Sequence, residues 1–191
     1  MTLEHLLVFG PVMIATWFLV TYFWPGMLLY VFKRAILARG VGNGPIPINT
    51  LQAVPRELFA DPLHPSASAS QLVTRGVNRD TLYVVGWLDL SKASLVLHVP
   101  EMAGRYYSVQ FTDPSKNSNF AYVGTRTTGT QAGDYLITGP TWTKQTPRGM
   151  QQISSPNTSV LVVGRVFVES ESDLPAAHDL AQQILLRPLV S

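Results

Sequence analysis

The sequence predicts a mainly β protein: an antiparallel β-sandwich or roll with one C-terminal helix, preceded by an N-terminal transmembrane helix. Three observations carry this. Six short runs rich in β-branched and aromatic residues follow one another, with turn signals and no helical period between them. Ahead of them, residues 6–32 run for 27 positions without a charged side chain. After them, the apolar period changes from that of a strand to that of a helix.

The N-terminal run, LLVFGPVMIATWFLVTYFWPGMLLYVF, exceeds the roughly 20 apolar residues that a helix needs to cross hydrocarbon. Pro11 and Pro25 interrupt it. Helix is disfavoured just before a proline, so the expected spanning part is Leu3 to Trp24. The remainder, PGMLLYVFKRAILAR, reads either as a tilted continuation or as a basic amphipathic turn at the interface. Trp17 and Trp24, with Tyr22, Phe23 and Tyr30, are aromatics of the kind that settle at headgroup level, and Lys33 and Arg34 mark the interface beyond them. A cleaved signal peptide fits less well. The run is longer than the usual h-region of about 7–15 residues, no basic segment precedes it and no small-x-small site follows.

Residues 1–39 are thus read as anchor and basic juxtamembrane segment. Residues 40–70, dense in Gly, Pro, Ser and Asn, read as a connector with one helical turn at Pro55–Phe59. Residues 71–191 form the β domain. Its strands are expected in TLYVVGWLDL (81–90), SLVLHV (94–99), RYYSVQFT (105–112), NFAYVG (119–124), DYLIT (134–138) and TSVLVVGRVFV (158–168). Alternation supports them: Leu95, Leu97 and Val99 share one face, and Tyr107, Val109 and Phe111 oppose Tyr106, Ser108 and Gln110. Gly164 inside its run predicts a bulge. At the end, Asp173 is the expected cap of a helix with Pro175 in its first turn. Leu174, Ala177, Leu180, Ala181, Ile184 and Leu185 fall on one face.

Charge narrows the function classes. Beyond Gly40 there are 11 Lys/Arg and 11 Asp/Glu, so the β domain is neutral and the overall +2 comes from Lys33, Arg34 and Arg39 against Glu4. Nucleic-acid binding would need a basic patch or stripe, and none is present. With no cysteine, disulfides, thiolate zinc sites and cysteine nucleophiles are excluded together. His5, His64, His98 and His178 are too scattered for zinc-type spacing, and His98 reads as a rim residue. No G-x-S-x-G elbow occurs, and GTRTTGTQAGDY (124–135) lacks the spacing and Lys-Ser/Thr ending of a phosphate loop. No metal or cofactor is expected.

The polar residues with chemical potential are Asn78, Arg79, Asp80, Asp89, Tyr106, Gln110, Asp113, Tyr122, Arg126, Asp134 and Tyr135. Asn78, Arg79, Asp80, Tyr106 and Arg126 are the candidate ligand-binding set, since Arg79 and Arg126 can hold a carboxylate or phosphate through two donors. Asp80 with Asp89 or Asp113 supplies an acid–base pair if the fold brings them together. The plainer reading favours structure. Asn-Arg-Asp before a strand satisfies turn backbone groups, and Asp89, Asp113, Tyr122, Gly129 and Tyr135 serve turns and packing.

From about Arg75 to Pro140 the chain resembles the family known as domain of unknown function 1254. NRDTLY (78–83), WLDL (87–90), GRYYSVQFTDP (104–114), NFAYVGTRTTGT (119–130) and AGDYLITGPTW (132–142) carry the likeness, and DLPAAHDLAQQILLRPL is similar to the helix that closes the domain. The resemblance implies a mostly antiparallel β fold and an exported protein. That export opposes Lys33, Arg34 and Arg39, which by the positive-inside tendency put the C-terminal side in the cytoplasm. Longer members carry a second domain, of unknown function 1214, and this sequence stops where it would begin. That implies a partner chain of that type or an unrelated membrane complex. The resemblance implies no particular activity.

The expected function is therefore a non-catalytic, single-span accessory or assembly subunit of a larger membrane complex, in the inner membrane with its β domain outside the cytoplasm. The alternative is a binding module for a lipid headgroup, glycan or small acid. A hydrolase comes third, and needs two carboxylates about 5–10 Å apart across a cleft.

Overall fold

The computed structural model describes residues 3–42, 44–56 and 80–189. Asn78, Arg79 and the Glu57–Phe59 part of the expected helical turn lie outside them. The chain divides into two units, Met1–Arg34 and Ala35–Ser191.

The first unit is helix. Helix α1 (Leu3–Arg39) runs through both prolines, against the expected stop at Trp24. A proline removes one N–H and crowds one carbonyl of the preceding turn. Thr21 turns its hydroxyl onto the Trp17 carbonyl at 2.7 Å, and Thr16 does the same to Val12 at 2.8 Å. Each proline costs the ladder one N–H, whereas ending the helix there would leave several backbone groups unpaired, so the helix continues. Every residue from Pro11 to Leu28 is exposed, including Trp17 and Trp24. Farther along, the Arg34 guanidinium lies over the Tyr30 ring at 5.6 Å.

The second unit begins at the end of that helix. Gly40, at φ +62°, donates its N–H to the Ile36 carbonyl, and the Ile46 N–H reaches the Leu37 carbonyl. Gly is required here, because a Cβ would sit 1.8 Å from the Gly44 carbonyl oxygen. The chain then clamps onto the next strand through Asn49. Its Oδ1 accepts the Asp89 N–H at 2.7 Å, its Nδ2 donates to the Asp89 carbonyl and its own N–H to the Trp87 carbonyl. Strand β1 (Leu51–Ala53) follows, inside the segment read as connector.

All six expected strands form: β2 (Thr81–Asp89), β3 (Leu95–Val99), β4 (Tyr107–Asp113), β5 (Ser118–Gly124), β6 (Gly133–Thr138) and β8 (Ser159–Phe167). Strands β7 (Gln151–Ser154) and β9 (Leu185–Pro188) were not expected. The first is four residues of a polar stretch, too short to show a strand's alternation. The second follows helix α2 (Leu174–Gln182), which stops short of Ile184 and Leu185, both expected on its apolar face. Ile184 is buried, whereas Leu185 is exposed on β9. One sheet has the order β1-β2-β8-β4-β5 and the other β7-β6-β3-β9. The second is mixed rather than wholly antiparallel, because β7 pairs parallel to β6. The chain between them, residues 139–150, is long enough for the crossover that a parallel pair requires.

Alternation builds the core. Leu82, Val84, Leu88, Val160, Val162, Val166, Tyr107, Val109 and Phe111 from the first sheet join Leu95, Leu97, Val99, Tyr135, Ile137 and Ile153 from the second. Ala177 and Ala181 of α2 close the same cluster. Tyr135 thus belongs to the core, and Gly129, at φ +83°, turns the loop before β6.

Two local expectations change. Gly164 makes no bulge: it stays in register opposite both Val84 and Val109, and the register shift falls at Phe111/Thr112 of β4. A Cβ on Gly164 would come within 2.9 Å of the Val84 Cβ, so close strand approach is what selects glycine. Asp173 makes no side-chain cap on α2, for a reason given below.

Gly86 faces a tighter contact, with a Cβ placed 2.2 Å from the Thr50 carbonyl oxygen. Gly86→Ala must therefore push β1 off β2. The expected loss is about 1–3 kcal/mol of stability, the usual range for overpacking, read as a lowered urea midpoint.

Candidate functional site

The sandwich has two ends, and the polar residues collect at them. At the first, β2 and β4 begin and β8 ends. The Asp80 carbonyl accepts the Val168 N–H and the Tyr106 carbonyl accepts the Phe167 N–H, so both residues flank the same stretch of chain. The Arg126 guanidinium lies over the exposed Tyr106 ring at 5.5 Å. Asp80 takes the Thr81 hydroxyl at 3.1 Å. Three members of the candidate binding set, Asp80, Tyr106 and Arg126, therefore share one end. Neither of the two cavities described below is lined by them.

The strongest polar contact at this end was missed by sequence reasoning. Arg105 forks both terminal nitrogens onto the two carboxylate oxygens of Asp173 and also donates to the Phe167 carbonyl at 2.7 Å. Asp173 accepts the Glu169 N–H as well. Both partners are more than four-fifths buried. The Arg105 hydrogen bonds hold the Asp173 carboxyl down at about 2, and Asp173 raises Arg105 above its ordinary value. This explains the missing cap: the carboxylate is turned to Arg105 and away from the helix N–H groups. The pair is separated by 68 positions, and no local signal marks it.

At the opposite end the acids serve turns. Asp89 accepts the Ser91 N–H at 2.9 Å. Asp113 is buried and takes the Ser115 N–H at 2.9 Å and hydroxyl at 2.6 Å, with Asn157 beside it. The Ser115 hydroxyl, chiefly, holds its carboxyl below the ordinary range. Trp87 donates its indole N–H to the Ser159 hydroxyl at 2.8 Å.

These placements bear on acid–base chemistry. Asp80 and Asp89 lie at opposite ends of a nine-residue strand, about 30 Å apart at ~3.3 Å per residue. By alternation Asp113 faces inward with Phe111, while Asp89 faces outward. None of these placements forms a paired-carboxylate cleft.

A polar row crosses the outer face of the first sheet. Arg165 lies over Tyr83 at 5.8 Å and donates to Gln110, Gln110 donates to Asn119, and Asn119 donates to the Tyr122 hydroxyl at 2.8 Å. On the second sheet, Asp134 accepts from Arg187 and bonds the His98 Nδ1 at 2.8 Å, tying β9, β3 and β6 together. Among the described residues no group of three or more His, Asp or Glu side chains could hold a metal ion.

Two cavities, of about 380 and 410 Å³, open beside the ends of β2 and β6. Gly139 and Trp142 line both. Lys92 and Lys144 line the first, whereas Phe120, Gln152 and Ser154 help line the uncharged second.

Fold and site together define a two-sheet β module closed by one helix, preceded by a helix long and apolar enough to cross a membrane. The chain belongs to the family described as "Protein of unknown function (DUF1254)", whose model matches residues 60–188. A search of curated proteins finds no match. Among solved structures, the VPA0106 protein from Vibrio parahaemolyticus is similar at a TM-score of 0.61 and 22% identity, over 88% of this chain. This chain spans only 36% of that one, so the likeness is one of fold over about a third of its length. A putative uncharacterized protein from Burkholderia cenocepacia matches at a TM-score of 0.39 and 11% identity, over 86% of this chain and 49% of its own.

The Arg105–Asp173 pair sets an acid limb to stability. Asp173 has a depressed carboxyl, so its contribution is full above the ordinary value of 3.8 and is lost as pH falls toward about 2. Asp173→Asn should cost about 2–3 kcal/mol at pH 7, as for a hydrogen-bonded, largely buried charge. The gap from wild type should narrow in urea melts below pH 4. A gap that stays constant down to pH 2 would show that the carboxylate charge is not what matters.

Proposed function

We propose that this chain is a single-span membrane protein whose β domain acts as a non-catalytic accessory or assembly subunit of a larger membrane complex. The observation that supports it most is the bare apolar helix. Residues Pro11–Arg39 form a candidate span of 29 residues, none of its most hydrophobic window buried. At 1.5 Å per residue, even the uncharged part from Pro11 to Phe32 reaches about 33 Å, enough for a hydrocarbon core of about 30 Å. Exposed Trp17, Phe18, Phe23 and Leu28 need lipid or another helix to leave water.

The assembly role draws on the character of the domain. Most arginines in the described β domain meet a carboxylate, a carbonyl or an aromatic ring, and its acids serve turns and pairs. In this reading the β domain lies outside the cytoplasm, following the export that the family resemblance implies, against the pull of Lys33, Arg34 and Arg39.

The membrane claim predicts that the chain stays in the pellet after carbonate extraction, and that Leu19→Arg with Val20→Asp releases it. Solubilised in mild detergent, it should migrate with other membrane proteins. A particle of this chain alone would contradict the subunit role. Because the chain has no cysteine, a single Ser118→Cys on the exposed start of β5 reads topology directly. Labelling of intact cells by an impermeant maleimide is expected, and protection until lysis would put the domain in the cytoplasm.

A further inference from the structure

We propose that the cleft around Trp142 binds a phosphate group, as a monoester or diester carried on a small neutral body. The argument starts from charge. Lys92 and Lys144 come from distant parts of the sequence, and both line the cavity of about 380 Å³. No acidic side chain lines it with them. Three arginines of the described domain are matched by carboxylates: Arg56 meets Asp179, Arg105 meets Asp173, and Arg187 meets Asp134. No ion pair engages Lys92 or Lys144 among the described residues, and Lys144 only approaches the Trp142 ring, at 5.9 Å. Two cationic side chains lining one cavity with no acid among them favour an anion there. The nearest carboxylate in sequence, Asp89, is already bonded to the Ser91 N–H.

The kind of anion follows from the donors. The cleft offers no guanidinium fork of the sort that matches a planar carboxylate. It offers ammonium point charges and the hydroxyls of Ser91 and Thr141, which suit the tetrahedral oxygens of phosphate. Trp142 adds a further donor. Its indole N–H is buried without a partner, an arrangement that ordinarily costs about 1–3 kcal/mol and that an incoming oxygen would relieve after a small shift of its loop.

The second cavity says what the phosphate is attached to. It adjoins the first at Gly139 and Trp142 and carries no charge, with aromatic, proline, amide and hydroxyl lining. A neutral body bonded to the phosphate therefore fits past Trp142. Gly139, shared by both cavities, packs tightly on β2's exit, since a Cβ there would sit 3.0 Å from the Leu90 carbonyl oxygen. Such a phosphate can come from a soluble ester or from a lipid headgroup, and the experiment separates the two.

The four tryptophans give one fluorine resonance each when replaced by 5-fluorotryptophan. The Trp142 line is assigned by its loss in Trp142→Phe. The full chain in neutral phosphatidylcholine nanodiscs is titrated with glycerol phosphate, and in parallel placed in discs containing phosphatidylglycerol. Chloride at equal ionic strength is the control. A saturable shift of the Trp142 line with glycerol phosphate, weakened at least tenfold in Lys92→Gln/Lys144→Gln, supports the site with a soluble source. A shift only in phosphatidylglycerol discs, again lost in the double variant, supports it with a lipid source. No shift in either arm, an equal shift with chloride, or a shift indifferent to the two lysines would overturn the proposal.

Discussion

The bidentate contact between Arg105 and Asp173 ties together the start of β4, the exit of β8 and the start of α2. Arg105 stands just before β4, and Asp173 just before α2. Through Phe167 and Glu169 the same pair also grips the exit of β8. Strand β8 is the middle of its sheet, bonded to β2 along nine residue pairs and to β4 along six, which makes it the natural place to attach a closing helix. Once α2 is held there, Ala177 and Ala181 can enter the core beside both sheets, and β9 can return along β3. The energetic reason is the usual one for charges out of water: paired and forked they stabilise, and with one partner removed the other is stranded.

The remaining polar groups follow the same economy. Asn49 grips β2, Asp113 organises its turn, Asp134 joins three strands, and Gln110 with Asn119 crosses the outer sheet face. Three of the arginines are likewise held by carboxylates: Arg56 by Asp179, Arg105 by Asp173 and Arg187 by Asp134. Two features stand apart from that economy: the apolar helix, exposed from Pro11 to Leu28, and the cleft lined by Lys92 and Lys144 without a carboxylate.

Much of the fold was legible in the sequence because alternation and turn chemistry agree along β2, β3, β4, β5, β6 and β8. Strands β1, β7 and β9 were not, since three or four residues give too little period and QQIS has the composition of a turn. LLRP continued an apolar helical face, and only pairing with β3 makes it strand. Pro25 was overrated as a stop because the local rule ignores what a long apolar helix would expose by breaking. At the candidate site, Asp80, Tyr106 and Arg126 share an end of the sheet, which their positions ahead of and after strands foreshadowed. Asp173 looked like a cap from its neighbours, but its partner lies far up the chain. The Trp142 cleft was invisible for the same reason: Lys92 and Lys144 belong to different loops, and only the fold brings them to one cavity.

The claim that Arg105 and Asp173 hold α2 to the sandwich is tested most directly by native-state hydrogen exchange on the Arg105→Gln protein. The account predicts that the Glu169 amide and the amides of α2 and β9 exchange much faster than in the wild type, while those shared by β2 and β8 remain protected. Unchanged protection of α2 in that variant would contradict it and assign the closure of the domain to core packing alone.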